Sequence, residues 1–428
     1  MNFVQCNLGA GVRLHLCETD KFRSLTCKIF VQQDLEQRTA SSTALIPLLL
    51  QRGSQQFPTT LQIARELEYL YAAELGADVL KLGERQILEF HFQMVDPSLL
   101  PDSDEHLERG LRTFWGIVTA PAGKNGRFED TYFTQEKRTL RRELEGLINN
   151  KRAYALARFV ELMCEDEPFG IHKYGDLASL DKLENERVYG HYQDLFRSHP
   201  MDIFLVGTNL DVIANLLAQL AAERHGPVVL NPPKRVSLQP PRYYEETAEL
   251  QQAVLALGYR TNRSFLDDGY YALLVGNGIL GGFPHSKLFI NVREKASLAY
   301  YVGSSVEGTK GLLTISAGID WDERDEAQTI IKQQVEQVQQ GQISRQELEQ
   351  TKAGLVNAMI SMGDHPSGMI DRNLIGIIHG EMRSIDHVVD AIRAVQLEDV
   401  VEVMGDLVFD TTYILGPRRE AGESNGTN

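Results

Sequence analysis

Apolar and polar positions alternate through GVRLHLCET (Gly11–Thr19) and LTCKIFVQQ (Leu25–Gln33), a period of two that predicts strands. The pattern then widens. TASSTALIPLLLQ (Thr39–Gln51) reads as a helix that stops before Gly53, and TTLQIARELEYLYAAEL (Thr59–Leu75) reads as a second helix entered through the capping residues Thr59 and Thr60. A strand pair turning on Gly83 follows (Asp78–Met94), then long charged helices over about 128–165, then a strand and helix in DIFLVGTNLDVIANLLAQL (Asp202–Leu220). The proline-rich stretch GPVVLNPPKRVSLQPP (Gly226–Pro241) reads as a linker.

The second half repeats this order: a strand (Leu250–Arg260), a helix ending in glycines (Asp267–Gly282), a helix (His285–Tyr300), a strand pair turning on glycine (Tyr301–Ile319), and TTYILGPRR (Thr411–Arg419) echoing DIFLVGTNL. An offset of 228 residues carries Gly53 onto Gly281, Gly83 onto Gly311, Arg65-Glu66 onto Arg293-Glu294, and Leu70 onto Leu298. Conserved spacing between individually weak matches predicts a duplicated domain. The expectation is an α+β chain of two homologous domains, each a mostly antiparallel sheet covered by helices: residues 1–225, a linker over 226–241, and residues 242–428.

At 428 residues the chain is long enough for two cores. A net charge of −16, with no basic run, argues against nucleic acid as a partner. The first residues show no basic start followed by an apolar segment, and no stretch approaches about 18 apolar residues, so neither a signal peptide nor membrane insertion is expected. Cys6, Cys17, Cys27 and Cys164 include no Cys-x-x-Cys pair and read as reduced thiols of a cytoplasmic protein.

Familiar catalytic patterns are missing. GNGILG (Gly276–Gly281) has the spacing of a dinucleotide loop, but a helix precedes it and Pro284 follows it, so a helix-terminating loop is the better reading. No two of the eleven histidines are four or five residues apart, which excludes both H-E-x-x-H and H-x-x-E-H. No G-x-S-x-G or P-loop occurs. If INVREKASLAYYVG (Ile290–Gly303) is helical, Arg293 and Tyr300 share one face, roughly 10 Å apart along the axis. Taken alone, that spacing describes a solvated helix with a core tyrosine.

The run GNGILGGFPHSKLFINVREKASLAYYVGSS resembles the C-terminal domain of the insulinase and pitrilysin metallopeptidase family, which includes mitochondrial processing peptidase and the core proteins of the respiratory cytochrome bc complex. Leu280, Gly281, Gly282, Leu288, Phe289, Arg293, Glu294, Lys295, Leu298 and Tyr300 carry the likeness, and length and two-half organisation agree with it. The resemblance implies the LuxS/mitochondrial-processing-peptidase-like metalloprotease fold. It also implies that Arg293 and Tyr300 reach a peptide near its scissile bond, where a permanent cation and a neutral donor can hold a carbonyl.

The family's metal half should lie in the first domain, as H-x-x-E-H before a Lys/Arg-Gly-Thr/Ser turn. QRGS (Gln51–Ser54) matches the turn, which places Ala44 and Leu48 where the zinc histidines belong and Pro47 where the general base belongs. None of the three can do that chemistry. The family's two later glutamates fall on Glu136 and Glu143, which then read as vestiges in helix-surface ion pairs. The resemblance therefore implies a catalytically silent, cofactor-free bacterial subunit that closes a clamshell over peptides as a heterodimer with a zinc-bearing paralogue. Among such companions the chain is most similar to small bacterial inactive insulinase-like proteins. Some of those carry names tied to 5-aminopentanol modification of elongation factor P, and others serve peptide maturation. The alternative is a structural scaffold with no peptide-processing role.

Overall fold

The computed structural model describes residues 3–101, 103–210, 213–215, 217, 224–233 and 240–418. The helix expected after Gly207 and the linker expected at 226–241 lie partly outside these: 211–212, 216, 218–223 and 234–239 are not described. The chain forms two compact units.

The first unit comprises 1–146, 167–234 and 363–374. Its sheet contains β1 (Val4–Gly9), β2 (Val12–Glu18), β3 (Ser24–Asp34), β4 (Glu74–Leu82), β5 (Arg85–Val95) and, after the short β6 (Gly123–Lys124) and β7 (Arg127–Phe128) pair, β8 (Met201–Gly207). The order is β1-β2-β8-β3-β5-β4, antiparallel except for β2 beside β8. From Leu88 onward β5 buries every second residue, as its pattern predicts, while β3 and β8 are buried almost throughout, as central strands covered on both faces must be. Over the sheet lies α1 (Gln37–Leu50), whose Ala44, Leu45, Ile46, Leu49 and Leu50 enter the core. α2 (Thr60–Tyr69) starts from a capping box between Thr59 and Gln62. It stops six residues earlier than its pattern suggests, because Tyr71 and Ala72 turn into the left-handed region and Glu74 opens β4.

The second unit comprises 147–166, 235–362 and 375–428. It contains β9 (Arg242–Ala248), β10 (Ala253–Arg260), β11 (Ala299–Glu307), β12 (Leu312–Ile319) and β13 (Val408–Pro417) in the order β11-β12-β10-β13-β9. Here too a single neighbouring pair, β13 and β9, is parallel. Read from the opposite edge, this is the first sheet strand for strand, with β9, β13, β10, β12 and β11 in the places of β2, β8, β3, β5 and β4. Gly83 and Gly311 close equivalent hairpins, with φ of 53° and 74° that a side chain would strain. Within the six-stranded sheet β1 alone lacks a counterpart, and the short β6–β7 pair has none among the described strands.

Neither unit is a continuous run of sequence. The helix Lys151–Met163 packs on β10 and β13 of the second unit, where a Cβ on Gly258 would fall 2.5 Å from Met163 Sδ. Residues 363–374 belong to the first unit, where the Asp371 carboxylate meets Lys28 Nζ of β3 at 2.7 Å. The sequence signals for these helices are local amphipathic patterns, which do not say which sheet a helix will cover.

Two sequence expectations are corrected here. The glycines of GNGILG do not form a loop: the helix Tyr270–Asn277 continues as a π-helical stretch, Gly278–Gly282. Their missing side chains admit Met404 at Gly276, Thr351 at Gly278 and the Ser304 backbone at Gly281, each within 2.6 Å of where a Cβ would stand. The helix expected over His285–Tyr300 ends at Lys295 with a π-helical turn. Ser297 has φ of 57°, Leu298 N–H donates to Val292 C=O at 3.0 Å, and β11 begins at Ala299. Leu298 and Ala299 are buried, so the chain leaves the helix to put them into the core.

Candidate functional site

The arginine and tyrosine singled out from sequence do not share a helix face. Arg293 lies in the π-helical stretch Phe289–Lys295, while Tyr300 sits at the start of β11, where the register with β12 slips between Ala299 and Tyr301. β11 is the edge strand of its sheet, and the slip marks Tyr300 as a bulged residue, a device that re-aims a side chain. Both residues are exposed, Tyr300 to 57%. The Arg293 guanidinium lies 4.7 Å from the centre of the Phe289 ring and has no carboxylate partner among the described residues. The two donors are thus presented to solvent, one backed by an aromatic ring and the other fixed to a strand edge.

The segment that would carry a metal is apolar and largely buried. Ala44 and Pro47 are buried and Leu48 is half-buried against the first core. Pro47 is accommodated within α1 as its one proline, and the end of the helix is tied by Gln51, whose side-chain amide donates to the carbonyls of Pro47 and Ala77.

The vestigial glutamates separate. On the helix Asp130–Gly146, Glu143 is exposed, whereas Glu136 is buried and is no helix-surface residue. Its partner comes from the turn after α1: Arg52 Nε is 3.5 Å from Glu136 Oε1. Arg52 also donates to Gln135 Oε1 at 2.6 Å and lies over the Tyr132 ring at 5.1 Å. Burial raises the Glu136 carboxyl above its ordinary range, and Arg52 and Arg142 oppose that shift without cancelling it. The Arg52 signal stood in the sequence as the second residue of QRGS, but only packing shows where its charge goes.

A zinc ion does not fit these residues. Zinc needs about four donors, commonly imidazole, thiolate or carboxylate, and α1 offers none at Ala44, Pro47 or Leu48. The nearby buried carboxylate already faces a guanidinium. No group of three or more His, Cys, Asp or Glu side chains is arranged to hold a metal among the described residues. No disulfide joins Cys6, Cys17, Cys27 or Cys164 to another described residue, and Cys17, Cys27 and Cys164 are buried.

A family model for the peptidase M16 inactive domain matches residues 182–355. Over 411 residues the chain is 32% identical to a Bacillus subtilis protein named probable inactive metalloprotease YmfF, covering 95% of this chain and 96% of that one. The chain belongs to the M16, or insulinase, peptidase family. The crystal structure of a conserved protein from Enterococcus faecalis V583 superposes with a TM-score of 0.90 at 30% identity, covering 98% of this chain and 100% of that one. The peptidase M16 inactive domain from Pseudomonas fluorescens has the same fold, with a TM-score of 0.81 at 16% identity over 98% and 99% of the two chains. Within the M16 family this is an inactive member. No helix among the described residues is long and apolar enough to cross a membrane.

Proposed function

We propose that this M16 protein is the non-catalytic, substrate-binding subunit of a two-subunit peptidase in the cytoplasm. A paralogue bearing H-x-x-E-H supplies the zinc, the metal-bound water and the general base. This chain supplies Arg293 and Tyr300, which hold a carbonyl of an extended peptide. A guanidinium and a phenol both donate hydrogen bonds, so the pair can stabilise negative charge on a carbonyl oxygen.

The observation that carries the reading is the contrast between the halves. The segment expected to carry the metal is largely buried in the core, yet Arg293 and Tyr300 are exposed, with no carboxylate among the described residues holding the guanidinium. A scaffold role is the second reading, and the stacking of Arg293 on Phe289 favours it, since that contact has a use without any substrate. The deciding experiment mixes the chain with a zinc-bearing paralogue from the same cell and follows peptide cleavage. Cleavage that requires this chain and slows on replacement of Arg293 or Tyr300 supports the subunit reading. Assembly with unchanged cleavage leaves the scaffold reading.

A further inference from the structure

A cleft in the second unit, outside the Arg293/Tyr300 pair, is built from the start of the helix Lys151–Met163, the β9–β10 turn and the facing ends of β11 and β12. Its volume is about 420 Å³ and its polar lining consists of Lys151, Arg152, Gln251, Gln252 and Tyr301. No carboxylate lines it. The chain as a whole carries 59 acidic and 43 basic residues, so a cleft lined by cations runs against its net charge. Lys151 and Arg152 have no carboxylate partner among the described residues.

The tyrosine is held in place on both sides. Tyr301 pairs across strands with Gly318, and a Cβ there would fall 2.3 Å from Tyr301 Cε1, so the ring lies flat where any other residue would stand. Glycine inside a strand weakens it and marks close approach, here of an aromatic ring. On the other side the Arg152 guanidinium lies 4.1 Å from the ring centre. The Tyr301 hydroxyl is shielded from solvent and has no hydrogen-bond partner among the described residues. Burial raises the phenol above its ordinary value, with Arg152 opposing, so it stays protonated and offers a donor.

We propose that this cleft is a carboxylate-binding site in which Arg152 and Lys151 supply the charge and Tyr301 Oη the oriented hydrogen bond. A planar carboxylate matches the guanidinium fork, and its second oxygen can accept from the phenol. Two sources share this chemistry: the C-terminal carboxylate of a peptide and a free small carboxylate. Using a peptide as a probe rests on the peptide-binding reading above; the anion site does not, because it shares no residue with Arg293 and Tyr300.

The test titrates the full chain by calorimetry with N-acetyl-tetraalanine as the free acid, with the same peptide as its C-terminal amide, and with sodium acetate. Binding of the free acid at least about tenfold tighter than the amide is expected, and a further preference over acetate identifies the peptide C-terminus as the source. Acetate and the acid peptide binding alike identify a small carboxylate. Tyr301→Phe keeps the ring on Gly318 and should weaken the acid by about fivefold or more, as should Arg152→Gln, with unchanged thermal melting. Equal binding of acid and amide, no binding of either up to about 10 mM, or unaltered binding in both variants overturns the site. Partner-dependent cleavage in Arg293 variants is read in a separate assay, so either reading can fail alone.

Discussion

Arg52 Nε lies 3.5 Å from Glu136 Oε1, and through that contact a guanidinium faces one of the two glutamates that the M16 resemblance implies are vestiges. The arginine supplies one fixed charge, whereas a metal would supply an open coordination position. The chain purified without chelators and dialysed against zinc should therefore retain far less than one zinc per molecule by elemental analysis. A tightly held ion near one equivalent would contradict the reading of Ala44, Pro47 and Leu48 as core.

Removing the arginine should expose the cost of burying Glu136. Arg52 is partly exposed, so after solvent screening Arg52→Ala should destabilise the fold by about 1 kcal/mol in urea unfolding. Burial raises the Glu136 carboxyl, so its contribution is fully present below the ordinary glutamate range and is lost as pH rises through the raised value. Arg52→Ala should steepen that loss, and Glu136→Gln should remove it. A pH profile identical in all three proteins would mean that the contact carries no energy.

Asp202 and Asp410 latch equivalent strands. Asp202 of β8 accepts from Arg13 Nε and a second guanidinium nitrogen at 2.8 Å each, from Gln32 Nε2 at 2.7 Å, and meets His15 Nε2 at 2.9 Å. Asp410 of β13 accepts from Arg242 at 3.1 Å and Arg260 Nε at 2.8 Å. Burial alone would raise both carboxyls. The His15 and Arg13 interactions outweigh it at Asp202, and the Thr411, Arg260 and Arg242 hydrogen bonds outweigh it at Asp410, so both are lowered. Their stabilisation is present above the ordinary aspartate range and disappears as pH falls through the lowered values. Asp202→Asn should cost about 2–3 kcal/mol at pH 7, and the loss should shrink on acidification below about pH 4. A deficit that stays constant down to pH 3 would assign the effect to packing instead.

The exchanged segments predict how the chain tolerates cutting. Fragments 1–233 and 240–428 each carry a helix that completes the other's unit. Produced alone, neither should melt cooperatively, and both should bind a hydrophobic dye; co-production should restore a cooperative transition. Two fragments that each melt as sharply as the intact chain would show that 147–166 and 363–374 are dispensable coverings.

In the mixed-subunit assay, Arg293→Ala or Tyr300→Phe should slow cleavage by on the order of 10²-fold without disturbing assembly on gel filtration. The double variant should lose less than the product of the single losses, because donors on one oxygen act together. Unchanged turnover in the double variant would leave the pair without a catalytic role.

Much of this was legible in the residues themselves. Period-two runs placed β3 and β5, the matched glycines at 83 and 311 announced two equivalent hairpins, and the side chains of Ala44, Pro47 and Leu48 offer no metal ligand. These are local facts, fixed by backbone sterics and by what a side chain can coordinate. Tertiary structure decided the rest. It ended the helix at Lys295 because Leu298 and Ala299 belong to the core, and so put Tyr300 on a strand edge. It brought Arg52 to Glu136 across 84 positions of chain. It also sent the helix Lys151–Met163 to the second sheet, because an amphipathic stripe specifies that a face must be buried and leaves open against which partner.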